Sequence, residues 1–182
     1  KLSRDPGLAR TFQNIRVCPS LSVLVNVLIG MHAHFRWWNA LTPRNVGREA
    51  AMRRRADEIL EFVGIADKRD AMATEIAYGD QRRVEIARAL ATDPRILLLD
   101  EPAAGMNPKE ARQLVSLVQQ IFAELDVSIV VIEHDMHVVM NTAMRVVVLD
   151  AGKCISEGSP REVSADERVL EAYLGKRFKD VV

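Results

Sequence analysis

The chain has 182 residues, 48% of them hydrophobic, and its 25 Lys plus Arg are balanced by 25 Asp plus Glu. That suffices for one domain with a real core and a small subdomain, while the charge balance removes the overall basic field that nucleic acid demands and any acidic tail. Cys18 and Cys154 match neither a zinc nor a redox spacing, which points to a reducing compartment, and the longest apolar run, Leu21 to Met31, falls short of the ~20 residues that span a bilayer.

In chain order, LARTFQNI (Leu8 to Ile15) reads as a short strand entering a polar turn at Gln13 and Asn14. From Ser20 to about Ala91 the sequence is mainly helical. Ser20 or Ser22 can cap a first helix running to about His34, inside the aromatic-rich HAHFRWWNA. REAAMRRRADEILEFVG forms a second helix, with Met52, Ala56, Ile59, Leu60 and Val63 facing inward and Gly64 at C′. Its Arg53-Arg54-Arg55 run is balanced by Asp57, Glu58 and Glu61 and reads as solvated surface. EIAYGDQRRVEIARAL supplies a third helix from Gln81 to Ala91, where Gly79 frees the backbone, Asp80 can cap, and the helix start suits an anion such as phosphate.

Next comes RILLLDEPAAGMNPKE. Ile96 to Leu99 shows no alternation and reads as a strand buried on both faces, as in parallel sheets, with Asp100 and Glu101 at its ligand-gathering carboxyl end. Asn107, Pro108 and Glu110 have the spacing of an N-cap, a first-turn proline and a capping box. The helix they open should bury Ala111, Leu114, Val115, Val118, Ile121, Phe122 and Leu125. VSIVVIEHD gives a second buried strand over Ile129 to Ile132, completing a βαβ unit and bringing Glu133, His134 and Asp135 to the same sheet edge as Asp100 and Glu101. Converging ionisable groups at such an edge suggest a site. In a purely structural reading Asp100 only caps a turn and His134 only begins a helix. MRVVVLDAGKCISEG reads as a hairpin turning at Ala151 and Gly152, followed by a helical tail from Pro160.

These pieces resemble the ATP-binding subunits of ABC transporters over nearly the whole chain. ILLLDEP looks like the Walker B strand, IAYGDQRR occupies the place of the signature, Gln13 that of the Q-loop glutamine, AGMN (Ala104 to Asn107) that of the D-loop, and His134 that of the switch histidine. ARTFQNIR, AYGDQRRVEIARALA, LLLDEPAAGMNP, VVIEHDMHVVM and the closing EAYLG are most similar to the ATPases of branched-chain amino acid importers. The implied fold is α/β, a P-loop NTPase-like (RecA-like) parallel sheet with an inserted helical subdomain. Residues 1–14 would end the N-terminal part of the core, 15–92 form the helical subdomain, 93–159 return to the core, and 160–182 make a helical tail.

The resemblance implies ATP and Mg²⁺ as cofactors. Asp100 would hold the metal, with Gln13 also near it; Glu101 would be the catalytic base; and Gln13 and His134 would contact water, metal or γ-phosphate. Ala77, Tyr78, Gly79, Asp80, Gln81 and Asn107 would face nucleotide across a dimer with a second ABC ATPase, the same chain or another. The other implied partners are transmembrane permease subunits and, indirectly, a periplasmic solute-binding protein, at the cytoplasmic face of the inner membrane; nucleic acid is not among them. The apolar segment from Gln13 to about Trp38 would form a groove for a short permease helix.

Two departures stand out. Ala77 and Asp80 replace the serine and glutamine of the general signature, as suits the branched-chain type. No G-x-x-x-x-G-K-[ST] occurs, since Val147 and Leu170 stand where Gly152-Lys153 and Gly175-Lys176 would need a glycine. The family's phosphate loop and adenine-stacking aromatic should then have lain before Lys1, making the chain N-terminally truncated and inactive alone. A DNA-repair ATPase of the same superfamily would need a long coiled-coil insertion between Gln13 and Tyr78. Other readings of the same residues are a metal-dependent hydrolase using His134, His137 and Asp135, a zinc site at His32 and His34, a non-catalytic interaction module, and an ABC ATPase for another solute.

Overall fold

Three parallel strands lie side by side in the order β1-β2-β3: Leu8–Arg10, Ile96–Asp100 and Ser128–Ile132. The computed structural model that shows them describes residues 7–31 and 45–174. His32, His34 and the HAHFRWWNA cluster, and with them the expected end of the first helix, lie outside the described residues. The chain divides into two units, Lys1–Ile132 and Glu133–Val182.

In the first unit the register sets Leu8 opposite Ile96 and Arg10 opposite Leu98, then Leu98 opposite Val130 and Asp100 opposite Ile132. The link from β2 to β3 is helix α4, Pro108–Glu124, as the sequence predicts for a βαβ unit. Asn107 accepts from the backbone N–H groups of Lys109 and Glu110, and Glu110 accepts in return from Asn107 N at 3.0 Å. The expected capping box is therefore present.

Leu97 and Leu99 are fully buried, in one cluster with Leu114, Leu117, Val118 and Ile121 of α4. The expectation of strands buried on both faces is met on that side only. On the other face Ile96, Val130 and Ile132 are 43–49% exposed. Phe122, expected inside, is 55% exposed although Val118 and Val115, one and two turns before it on the same face of α4, are buried.

Among its described residues this unit also holds the α-helices α1 (Val23–Met31), α2 (Asn45–Phe62) and α3 (Tyr78–Leu90) and a short 3-10 turn over Ala66–Lys68. Ala56, Leu60 and Val63 of the second helical segment are buried, and Arg53, Arg54 and Arg55 are exposed, two of them paired with Glu49 and Glu58. Gly64 takes φ +74° at the predicted C′ position, where Arg83 of α3 donates to the Val63 carbonyl at 2.7 Å. Helix α3 starts three residues earlier than the sequence suggested. Ala77 is its N-cap without a side-chain bond, and Asp80, the predicted cap, forms an ion pair with Lys68 at 2.5 Å instead.

The second unit holds the antiparallel hairpin β4 (Val146–Asp150) and β5 (Lys153–Gly158). Its two-residue turn has φ +45° at Ala151 and +77° at Gly152, the left-handed pair that matches strand twist. Helices α5 (Met136–Thr142), α6 (Pro160–Ser164) and α7 (Glu167–Leu174) accompany it. No helix among the described residues is long and apolar enough to cross a membrane.

Candidate functional site

At the carboxyl end of β2 the backbone turns sharply. Asp100 is the last strand residue, and Glu101 sits at φ +43°, a left-handed conformation that a side-chain-bearing residue rarely adopts. Two bonds hold it there: Glu101 N donates to Ile132 O at 2.9 Å, and its carbonyl accepts from Ala104 N at 3.1 Å. Such strain persists only where the surroundings enforce it, and it gathers at functional sites.

The segment after β1 is drawn against this turn. Thr11, fully buried, donates its N–H to Leu98 O at 2.9 Å, and its hydroxyl accepts from Asp100 N at 3.4 Å. Gln13 then donates from Nε2 to Glu101 Oε2 at 2.8 Å. Arg10 Nη2 forms an ion pair with Asp100 Oδ2, also at 2.8 Å. Three residues singled out in the sequence, Gln13, Asp100 and Glu101, thus share one edge of the sheet.

A second grouping surrounds the start of α3. Ala77, Gly79, Asp80 and Asn107, with Arg83 and Lys109, line a groove of about 250 Å³. Its floor is tight: a Cβ on Gly79 would stand 3.1 Å from Glu110 Oε1, so the capping-box glutamate packs directly on that glycine. Tyr78 lies over Gly105, whereas Gln81 turns its amide onto the Ile76 carbonyl at 3.1 Å. The structure therefore gathers most of the residues expected to face nucleotide, and occupies Gln81 internally.

His134 belongs to the second unit, exposed, with its N–H donated to Glu133 Oε2 at 3.1 Å. Asp135 caps α5 by accepting from His137 N at 2.8 Å.

Among the described residues no three His, Cys, Asp or Glu side chains form a metal cage. The lone Asp100 carboxylate suits Mg²⁺ nevertheless, because that ion keeps several waters and takes one or two carboxylates together with substrate phosphates. The Arg10 guanidinium already places positive charge on Asp100.

The sequence reading missed four contributors: Arg10, Thr11, Arg82 and Glu85. The last two had a signal. They stand three apart in a helix whose inner face is otherwise Val84, Ile86, Ala87 and Leu90, and both are buried.

Comparison with known proteins gives a consistent result. Residues 3–104 match the family described as ABC transporter, and residues 153–179 match that described as branched-chain amino acid ATP-binding cassette transporter. The chain is 37% identical over 97% of its length to BraF of Pseudomonas aeruginosa, a high-affinity branched-chain amino acid transport ATP-binding protein, and covers 70% of it. It is 38% identical over 93% of its length to LivG of Salmonella typhimurium, described in the same words, and covers 68% of that protein. Among solved structures, the ADP conformation of MJ1267, an ATP-binding cassette of an ABC transporter, superposes with a TM-score of 0.78 at 30% identity, covering 95% of this chain and 70% of that one.

Proposed function

Because the chain belongs to the ABC transporter family of ATP-binding subunits, with that family's P-loop NTPase fold, we propose that it powers the import of branched-chain amino acids by hydrolysing ATP. The observation that carries this reading is the joining of Gln13 to Glu101 beside Asp100 at the end of β2.

Phosphoryl transfer to water requires neutralised phosphate charge and an oriented nucleophile. Asp100 would hold Mg²⁺, which would supply positive charge to offset that of the bound phosphates. Glu101 accepts a proton from the attacking water on its carboxylate, and Gln13 fixes that carboxylate's position through the 2.8 Å bond. His134 follows the end of β3, the strand beside β2, by two residues and takes the part of the family's switch histidine in this reading. The groove of Ala77, Gly79, Asp80 and Asn107 receives nucleotide held by a second ABC ATPase subunit. Its fully helical start at Tyr78 presents backbone N–H groups to phosphate without a competing side-chain cap.

The solute and the partners are part of the same proposal. The names of BraF and LivG support branched-chain amino acids, and an importer ATPase docks on permease subunits at the cytoplasmic face of the membrane. No phosphate-loop motif occurs within these 182 residues, so the chain by itself binds Mg-ATP weakly and does not turn it over.

Reconstitution with its permease subunits and solute-binding protein in vesicles tests the function. ATP-dependent uptake of leucine, isoleucine or valine is expected; ATP turnover coupled to a different solute, or none at all, would refute it.

A further inference from the structure

Arg82 and Glu85 lie on α3 with 0% and 2% of their surface exposed, and almost everything they bond is backbone of the segment after β1. Arg82 Nη1 donates to Phe12 O at 2.7 Å and to Glu85 Oε2 at 2.8 Å; Nη2 donates to Gln13 O at 2.9 Å. Glu85 Oε1 accepts from Phe12 N and Arg16 N, both at 3.4 Å. Residues 12–16 belong to no helix or strand, so their buried polar groups need partners from elsewhere, and the pair supplies four of them.

A buried ion pair is a costly way to fill space, since apolar residues of like volume often serve packing as well or better. The Arg82 Nε is left without a bond, which adds to that cost. What this pair provides that apolar residues cannot is direction. A planar guanidinium spans two successive carbonyls in one orientation, and the carboxylate fixes the two flanking N–H groups. The loop is thereby fastened to the helix that opens the 77–81 groove, while its own Gln13 side chain reaches across to Glu101 on β2.

We propose that Arg82 and Glu85 are positioning residues that make the loop 12–16 and the first turns of α3 one rigid piece, so that the Gln13–Glu101 contact follows any displacement of α3. Occupancy of the groove at Ala77 to Asp80 is then transmitted to the catalytic carboxylate through backbone bonds. The proposal rests on the ATPase reading for its consequence in turnover, but the mechanical link stands apart from it.

Hydrogen exchange on the full chain, with Arg82→Lys and Glu85→Gln compared with wild type, reads the link directly. Peptides covering 10–17 should exchange about tenfold faster in both variants, while peptides covering 114–121 of α4 keep their rates. In the assembled transporter the same variants should lower kcat about tenfold while KM for ATP moves less than about threefold, the split expected when positioning rather than binding is lost. Unchanged exchange over 10–17 overturns the proposal. So does faster loop exchange with kcat intact, or exchange raised equally in α4, either of which makes the pair mere packing. If Arg82→Lys does not fold, Glu85→Gln, which keeps the side chain's shape, decides alone. A wild-type complex with no turnover would sink the transport reading, and loop exchange would still decide the clamp.

Discussion

Gln13 Nε2 donates a 2.8 Å hydrogen bond to Glu101 Oε2 across 88 positions of sequence. Both groups face solvent, so the bond adds little to stability; what it sets is the direction of a carboxylate on a backbone already held at φ +43°. Gln13→Ala should leave the melting temperature nearly unchanged, with a cost within about 0.5 kcal/mol. Steady-state hydrolysis by the assembled transporter should fall about tenfold or more, from lost orientation. A substantial drop in melting temperature would make the bond structural instead.

How much of this was legible in the sequence differs by element. Asn107, Pro108 and Glu110 wrote the start of α4 outright, because a capping box is local chemistry read at fixed spacing. The turn at Ala151 and Gly152 was equally plain. The start of α3 was not: Asp80 looked like a cap, but Lys68, twelve residues away, claims its carboxylate, and Ala77 opens the helix without help. Asp100 and Glu101 could be named from the end of an aliphatic run. Their partners Arg10 and Gln13 depend on β1 lying parallel beside β2, a pairing across about ninety residues that periodicity does not encode.

Asn107 has two roles to separate. Asn107→Ala removes the acceptor for Lys109 N and Glu110 N and should cost about 1 kcal/mol, seen as a lower urea midpoint. Asn107→Ser retains a cap and should restore most of that stability. If Asn107 also faces nucleotide in the groove, Asn107→Ser should recover the midpoint without recovering full turnover; recovery of both would leave it a cap alone.

Helices α1 and α3 meet without room to spare at Gly30, where a Cβ would stand 2.2 Å from the Arg88 carbonyl oxygen and 3.1 Å from the Ala91 Cβ. Gly30→Ala should therefore push the helices apart and cost about 1–3 kcal/mol in chemical denaturation. Gly47→Ala is the matched control. Nothing lies within 4 Å of its Cβ, and alanine there should stabilise α2 by about 0.5–1 kcal/mol. Equal effects at the two sites would contradict the packing.

Arg16 is exposed, its guanidinium 4.5 Å from the centre of the Phe12 ring and its backbone N–H held by Glu85. The loop from Asn14 to Ser22 is anchored from below by buried Asn26, which accepts from Cys18 N and donates to Cys18 O, Leu21 O and Ser22 O. Such a rigid, outward-facing segment suits contact with a permease helix. Arg16→Glu should abolish uptake into vesicles while the detergent-solubilised complex retains its ATPase. Loss of both with a lowered melting temperature would mark the segment as core.

The central claim, that Glu101 is the base of an ATP-hydrolysing site, is tested most directly by Glu101→Gln in a version of the chain that carries a phosphate-loop segment fused ahead of Lys1. The amide keeps the shape at φ +43° and can still accept from Gln13, but it cannot take a proton from water. Turnover measured alongside size-exclusion chromatography in Mg-ATP should show hydrolysis reduced by about 10²–10⁴, with ATP bound and the protein trapped as a dimer. Undiminished turnover would contradict the account and move the base elsewhere, with His134 the next residue to test.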